Sequence, residues 1–160
     1  MHIRKISIRN FRLLENVELL LEERTTLIVG RNNSGKTSLT ELFRRLLSEK
    51  TSGFRLEDFS LSVHEQFWQA FLRKHQGDDE KTVREILPII EVKLTVSYDE
   101  NEYSLGLLSD FIIDLDPDCT DTIVVIRNEL AEGAIESLFE SLSYEATAPE
   151  ETQKKHSFGQ

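Results

Sequence analysis

The stretch Thr26-Leu27-Ile28-Val29-Gly30-Arg31-Asn32-Asn33-Ser34-Gly35-Lys36-Thr37 decides how the chain is read. A short apolar run ends in Gly30, a polar loop follows, and Gly35-Lys36-Thr37 opens an amphipathic segment. This is G-x-x-x-x-G-K-S/T in a strand-loop-helix context, the pattern of a phosphate cradle. A polyphosphate needs many donors converging on it. Backbone N–H groups supply them only where no Cβ blocks the approach, which accounts for Gly30 and Gly35. The first N–H groups of the following helix lack intrahelical partners and carry the positive end of its dipole, so an anion is held there. Lys36 is placed to reach β- and γ-phosphates as a flexible point charge, and the Thr37 hydroxyl suits a Mg²⁺ that bridges the same oxygens. Asn32, Asn33 and Ser34 add side-chain polarity to the loop. The competing expectation is a degenerate loop that keeps the pattern without a ligand.

At 160 residues the chain has the size of one domain, and 39% hydrophobic with 30% charged residues excludes a mainly disordered polymer. The net charge of −10 argues against a broad nucleic-acid surface, yet residues 1–50 hold ten Lys/Arg and six Asp/Glu. Basic charge therefore gathers around the loop, either as solvated faces or turned towards phosphates. The single cysteine, Cys119, makes no internal disulfide, no apolar leader opens the sequence, and no run of about 18 apolar residues suggests a membrane span. A reducing, cytoplasmic setting is expected.

Working outward, residues 3–9 and 17–22 alternate as half-exposed strands, with Asn10-Phe11-Arg12 breaking the first, and 26–29 reads as a third strand. Leu39, Leu42, Phe43, Leu46 and Leu47 make the apolar stripe of a helix from Gly35 to Glu49. Arg44 and Arg45 in its second half read as solvated dipole partners. Residues 61–75 fit a second helix, whose aromatics read as core rather than a stacking platform, and Val83, Ile86 and Leu87 suggest another turn or two. His64-Glu65 begins like a zinc H-E-x-x-H, but Trp68 stands at the fifth position.

Residues 89–98 alternate as a strand of an antiparallel sheet expected to be distinct from the strand feeding the loop, continuing through a hairpin at 103–107 and a strand at 122–127. The run 111–118 matches neither a Walker B strand nor a calcium loop well, because Leu115 follows Asp114 and Cys119 stands at the sixth loop position; it reads as a polar turn. A helix is expected over 130–143 and a frayed tail over 146–160.

The opening through residue 48, with Asn10-Phe11-Arg12 followed by Gly30 to Thr37 as G-x-N-N-x-G-K-T, resembles the N-terminal ATPase portion of OLD-family (overcoming lysogenization defect) nucleases and of RecF-like, SMC-like ABC-type AAA ATPases. Leu56-Glu57-Asp58-Phe59 looks like a recurrent leucine-acidic-phenylalanine stretch of the same group. The resemblance implies an α/β P-loop NTPase of ABC-ATPase type: a mixed sheet around the loop plus an antiparallel β subdomain, incomplete in this chain. Residues 1–145 would be one ATPase lobe, with 1–60 as P-loop core, 61–88 helical, 89–128 an antiparallel sheet and 130–143 a helix. It implies ATP and Mg²⁺ as ligands, bound by Gly30, Asn32, Asn33, Ser34, Gly35, Lys36, Thr37 and Ser38. Arg12 would lie near the nucleotide, Lys36 and Thr37 would act in catalysis, and Thr37 would hold the metal.

No signature helix, Walker B pair, switch histidine or nuclease carboxylates stand out in the sequence. The implied role is an ATP-binding lobe serving DNA processing, phage defence or repair, which alone binds more than it hydrolyses. A homo-oligomer or partner chain would complete it, any nucleic acid being met through that complex and no membrane being involved. The alternative is a nucleotide-gated interaction or sensor module without catalysis of its own.

Overall fold

The computed structural model describes residues 2–47, 54–98 and 121–140. The two N-terminal alternating runs form strands β1 (His2–Phe11) and β2 (Leu14–Leu20), an antiparallel hairpin paired from Lys5↔Leu20 to Phe11↔Leu14. On its other side β1 pairs antiparallel with β3 (Ile90–Ser97), and β3 pairs antiparallel with β4 (Asp121–Asn128). The result is one four-stranded sheet in the order β2-β1-β3-β4.

Alternation sorts the two faces of this sheet. Ile6, Ile8 and Val92 point inward and are almost wholly buried, and Val17, Leu94 and Ile126 pack around them. Helix α1 (Lys36–Leu46) lies over this face and inserts Leu39 and Leu42 among Ile6, Ile8, Phe11, Leu14, Ile90 and Val92. Complete burial of a leucine such as Leu42 contributes about 1.5–3 kcal/mol, which holds the helix down on the sheet. The outer face carries charges instead, paired across strands as Lys5 with Glu18 and Arg127 with Glu91.

A second core forms where helices α2 (His64–His75), α3 (Glu80–Ile86) and α4 (Ile135–Phe139) meet through Ala70, Phe71, Val83, Ile135 and Phe139. Asp79 caps α3 by accepting from the backbone N–H of Thr82 at 3.0 Å, and Gly77, with φ at +90°, lets the chain leave α2. Arg84 of α3 donates to the carbonyls of Leu130 and Ala131, tying α3 to the segment before α4. Phe67 and Phe71 are buried, and Phe59 meets Phe67 edge-to-face with centroids 5.0 Å apart, so the aromatics are core as expected.

Several expectations are corrected. The described strands form a single antiparallel sheet, where a mixed sheet and a separate antiparallel one were expected. Alternation reports that a strand has one buried face and says nothing about which strand lies beside it. Residues 25–31 carry no regular secondary structure, and Leu27 and Val29 are 83% and 78% exposed. A strand is held by neighbours along its edges, and among the described residues none lies beside this run. Helix α4 begins at Ile135 instead of 130, after Gly133 turns the chain at φ +72°. The expected hairpin at 103–107, the run 111–118, the end of the last helix at 141–143 and the tail at 146–160 lie outside the described residues.

Candidate nucleotide-binding site

The loop from Gly30 to Thr37 is built by two left-handed residues and one close approach. Asn33 sits at φ +66° and Gly35 at φ +89°, positions that asparagine and glycine tolerate better than other residues. A Cβ on Gly30 would stand 2.6 Å from the Ser34 hydroxyl, so the two parts of the loop lie close together and a side chain there would make Ser34 turn its hydroxyl away. The Lys36 ammonium donates to the carbonyls of Gly30 and Arg31 at 2.6 Å each and lies 3.4 Å from Ser34 Oγ. The lysine thereby ties the ends of the loop across its opening.

Gly35 is the N-cap of α1 and offers no side-chain cap. The first turn of α1 contains no acidic residue, so nothing in the helix itself neutralises the positive end of its dipole. Asn32, Asn33, Ser34 and Thr37 are exposed around this helix start, and Lys36 is half-buried. Such a curved loop, with open backbone donors, one half-buried cation and two exposed hydroxyls, suits a polyphosphate. A family model described as an AAA ATPase domain matches residues 1–158. The chain belongs to this family. Membership implies nucleotide binding, and the donor set of the loop fits that ligand. No curated protein matches the chain.

The AAA ATPase domain supports its loop from below. A Cβ on Gly35 would come within 2.8 Å of Leu14 Cδ2, and Leu13 Cβ lies 3.7 Å from the same point. The turn between β1 and β2 is therefore the floor beneath the helix start. Gly35→Ala would suffer both the left-handed backbone and this clash, and a loss of about 1–3 kcal/mol is expected. Chemical denaturation would measure it; a variant as stable as the wild type would contradict the tight approach.

Asn10-Phe11-Arg12 shapes that floor. Asn10 and Arg12 both have positive φ, +60° and +49°, and between them Phe11 is fully buried. Asn10 Nδ2 donates to the Ile89 carbonyl at 2.8 Å, and the Arg12 backbone N–H donates to the Asp58 carbonyl at 2.8 Å. The Arg12 guanidinium turns to the same residue, 2.9 Å from Asp58 Oδ1 through Nε. Asp58 is 2% exposed and also receives Arg45 at 2.5 Å and the Arg55 backbone N–H at 2.9 Å. One carboxylate thus joins the hairpin turn, the second half of α1 and the turn at Leu56–Asp58.

One sequence expectation changes here. Arg45 is no solvated dipole partner: its side chain is 12% exposed and held between Asp58 and Glu41. Ser38 is buried on the inner side of α1, unlike exposed Thr37. Asp58 was not among the candidate site residues; its only trace in the sequence is the Leu56-Glu57-Asp58-Phe59 stretch. Among the described residues no group of three His, Cys, Asp or Glu could hold a metal ion, and no helix is long and apolar enough to cross a membrane.

Proposed function

We propose that this AAA ATPase domain is the ATP-binding, Walker A lobe of an OLD-like or RecF-like ATPase of ABC type, acting in DNA processing, phage defence or repair. Gly30, Asn32, Asn33, Ser34, Gly35, Lys36, Thr37 and Ser38 are the residues assigned to ATP, and Thr37 to its Mg²⁺. Arg12 acts indirectly, by holding the floor of the loop through Asp58. The cytoplasm is the expected compartment. The observation that carries this reading is a shaped phosphate loop fed by an apolar segment with exposed Leu27 and Val29 and no strand beside it among the described residues. Hydrolysis then needs elements supplied by a second protomer or a partner chain, and any nucleic acid is engaged through that complex.

Turnover of the purified chain tests the proposal. ATP should bind with Mg²⁺ while hydrolysis stays close to background, and robust Mg²⁺-dependent turnover by a monomer would overturn it. A second reading is favoured by the exposed Leu27, Ile28 and Val29 next to the loop: a nucleotide-gated interaction module that does no chemistry itself. Partner association that ignores both ATP and Lys36→Ala would exclude gating.

A further inference from the structure

The turn beneath the phosphate loop is held in an unfavourable backbone conformation. Arg12, at φ +49°, lies in the left-handed region that a long side chain rarely adopts, and Asn10, at φ +60°, lies there two residues earlier. Such a conformation persists only where the surroundings impose it. The segment Asp58-Phe59-Ser60 does so from both ends of the turn. The Arg12 backbone N–H donates to the Asp58 carbonyl at 2.8 Å, and the Ser60 backbone N–H donates to the Asn10 carbonyl at 3.1 Å. Between these bonds Phe11 and Phe59 pair as an antiparallel bridge. The Arg12 guanidinium adds two contacts to Asp58 Oδ1, at 2.9 Å through Nε and 2.8 Å through Nη2.

This staple lies on the path to the phosphate loop. Leu13 and Leu14 follow Arg12 directly and form the floor under Gly35, with Leu14 Cδ2 so close that a Cβ on the glycine would meet it at 2.8 Å. Helix α1, whose N-cap is that glycine, is pinned to the same carboxylate through Arg45. The floor and the helix above it are therefore both positioned from Asp58, which is itself buried. We propose that Asp58, Phe59 and Ser60 set nucleotide affinity without touching the nucleotide, by keeping Arg12 left-handed and so fixing the floor under the helix start; this rests on the ATP reading of the loop given above. Without the staple Arg12 returns to negative φ, Leu13 and Leu14 shift, and the first N–H groups of α1 lose their alignment on the phosphates. A loop already shaped for its ligand binds more tightly because the ligand need not order it. Arg12 is in this sense a positioning residue, and its backbone conformation matters as much as its charge.

Calorimetric titration of the full chain with Mg-ATP, well below the thermal transition of each variant, tests this. The Arg12 side chain is 36% exposed, so its replacement opens no cavity in the core. Arg12→Ala loses the guanidinium and keeps the left-handed demand, and its Kd should rise roughly tenfold. Arg12→Gly loses the same guanidinium but adopts φ +49° freely, so it should bind about threefold or more tightly than Arg12→Ala. Arg44→Ala removes an exposed cation from α1 and should bind as the wild type does, which separates positioning from general attraction for a polyanion. Wild-type affinity in Arg12→Ala, or an equal loss in Arg44→Ala, would overturn the proposal. So would equal affinities of Arg12→Ala and Arg12→Gly, because a direct contact between Arg12 and phosphate is lost equally in both. A wild type that binds no Mg-ATP would overturn the ATP reading itself, and the proposal with it.

Discussion

Lys36→Ala is expected to strip the domain of its thermal response to Mg-ATP. For the wild type, ligand at 100 times its Kd adds about 2.7 kcal/mol to folding stability. A chain of this size gains about 2–4 °C in Tm for each kcal/mol, so a rise of several degrees is expected. Removing the ammonium deletes charge-assisted hydrogen bonds to the phosphates, of the kind that contribute about 1.5–3 kcal/mol. A loss near 3 kcal/mol is about a hundredfold in affinity. At the same ATP concentration the variant then retains only about 0.4 kcal/mol of ligand stabilisation. Lys36 is half-buried and bonds only to its own loop, so melting of the variant without nucleotide should change little. Differential scanning fluorimetry of both proteins with and without Mg-ATP measures both quantities. An undiminished shift in Lys36→Ala would remove the lysine from the binding site.

The second large effect is structural. Asp58→Ala should destabilise the fold by about 3–5 kcal/mol, because it takes from the largely buried Arg45 guanidinium its buried partner and leaves it only Glu41 on the helix surface. Arg12, 36% exposed, can regain water, whereas Arg45, at 12%, cannot do so without moving α1. The Tm should fall by about 10 °C on the same scale. Glu41→Gln serves as the comparison: Glu41 also meets Arg45, but the wetter Glu41–Arg44 pair on that helix surface is of the sort that contributes little. Equal melting of Asp58→Ala and Glu41→Gln would show that the buried network does not hold the helix.

The same carboxylate sets a pH dependence. Burial pushes Asp58 up, but the Arg55 backbone N–H and the Arg12 and Arg45 guanidiniums outweigh it and hold the carboxyl below its ordinary value. A group with a depressed folded pKa contributes its stability above the unfolded pKa, about 3.9, and loses it as pH falls through the folded value. Urea midpoints of the wild type should therefore drop below pH 4 more steeply than those of Asp58→Asn. Parallel curves would remove Asp58 from the acid transition.

The phosphate loop was legible because its chemistry is local. Gly30, Gly35, Lys36 and Thr37 lie within eight consecutive residues, and the close approach of Gly30 to Ser34 and the left-handed turn at Gly35 are properties of that short chain. The helix stripe and the alternating strands were legible for a similar reason, since each periodicity marks a face that must leave water. Arg12, Arg45 and Asp58 were not legible as a unit, being separated by 33 and 13 residues. In sequence Arg45 is merely a cation near a helix end, and nothing local separates a solvated arginine from one that meets a buried carboxylate.

Residues 26–29 mark the boundary between the two kinds of information. Apolar content determined that this run wants cover, and the sequence by itself determined the loop, the helix behind it and the faces of the strands. The tertiary structure alone decided that β1 lies between β2 and β3, that Asp58 gathers Arg12 and Arg45, and that Leu27 and Val29 remain exposed. The physical reason is that a strand's edges and a buried ion's partners are satisfied by whatever the fold brings alongside, whereas a turn or a helix satisfies its backbone from within its own few residues.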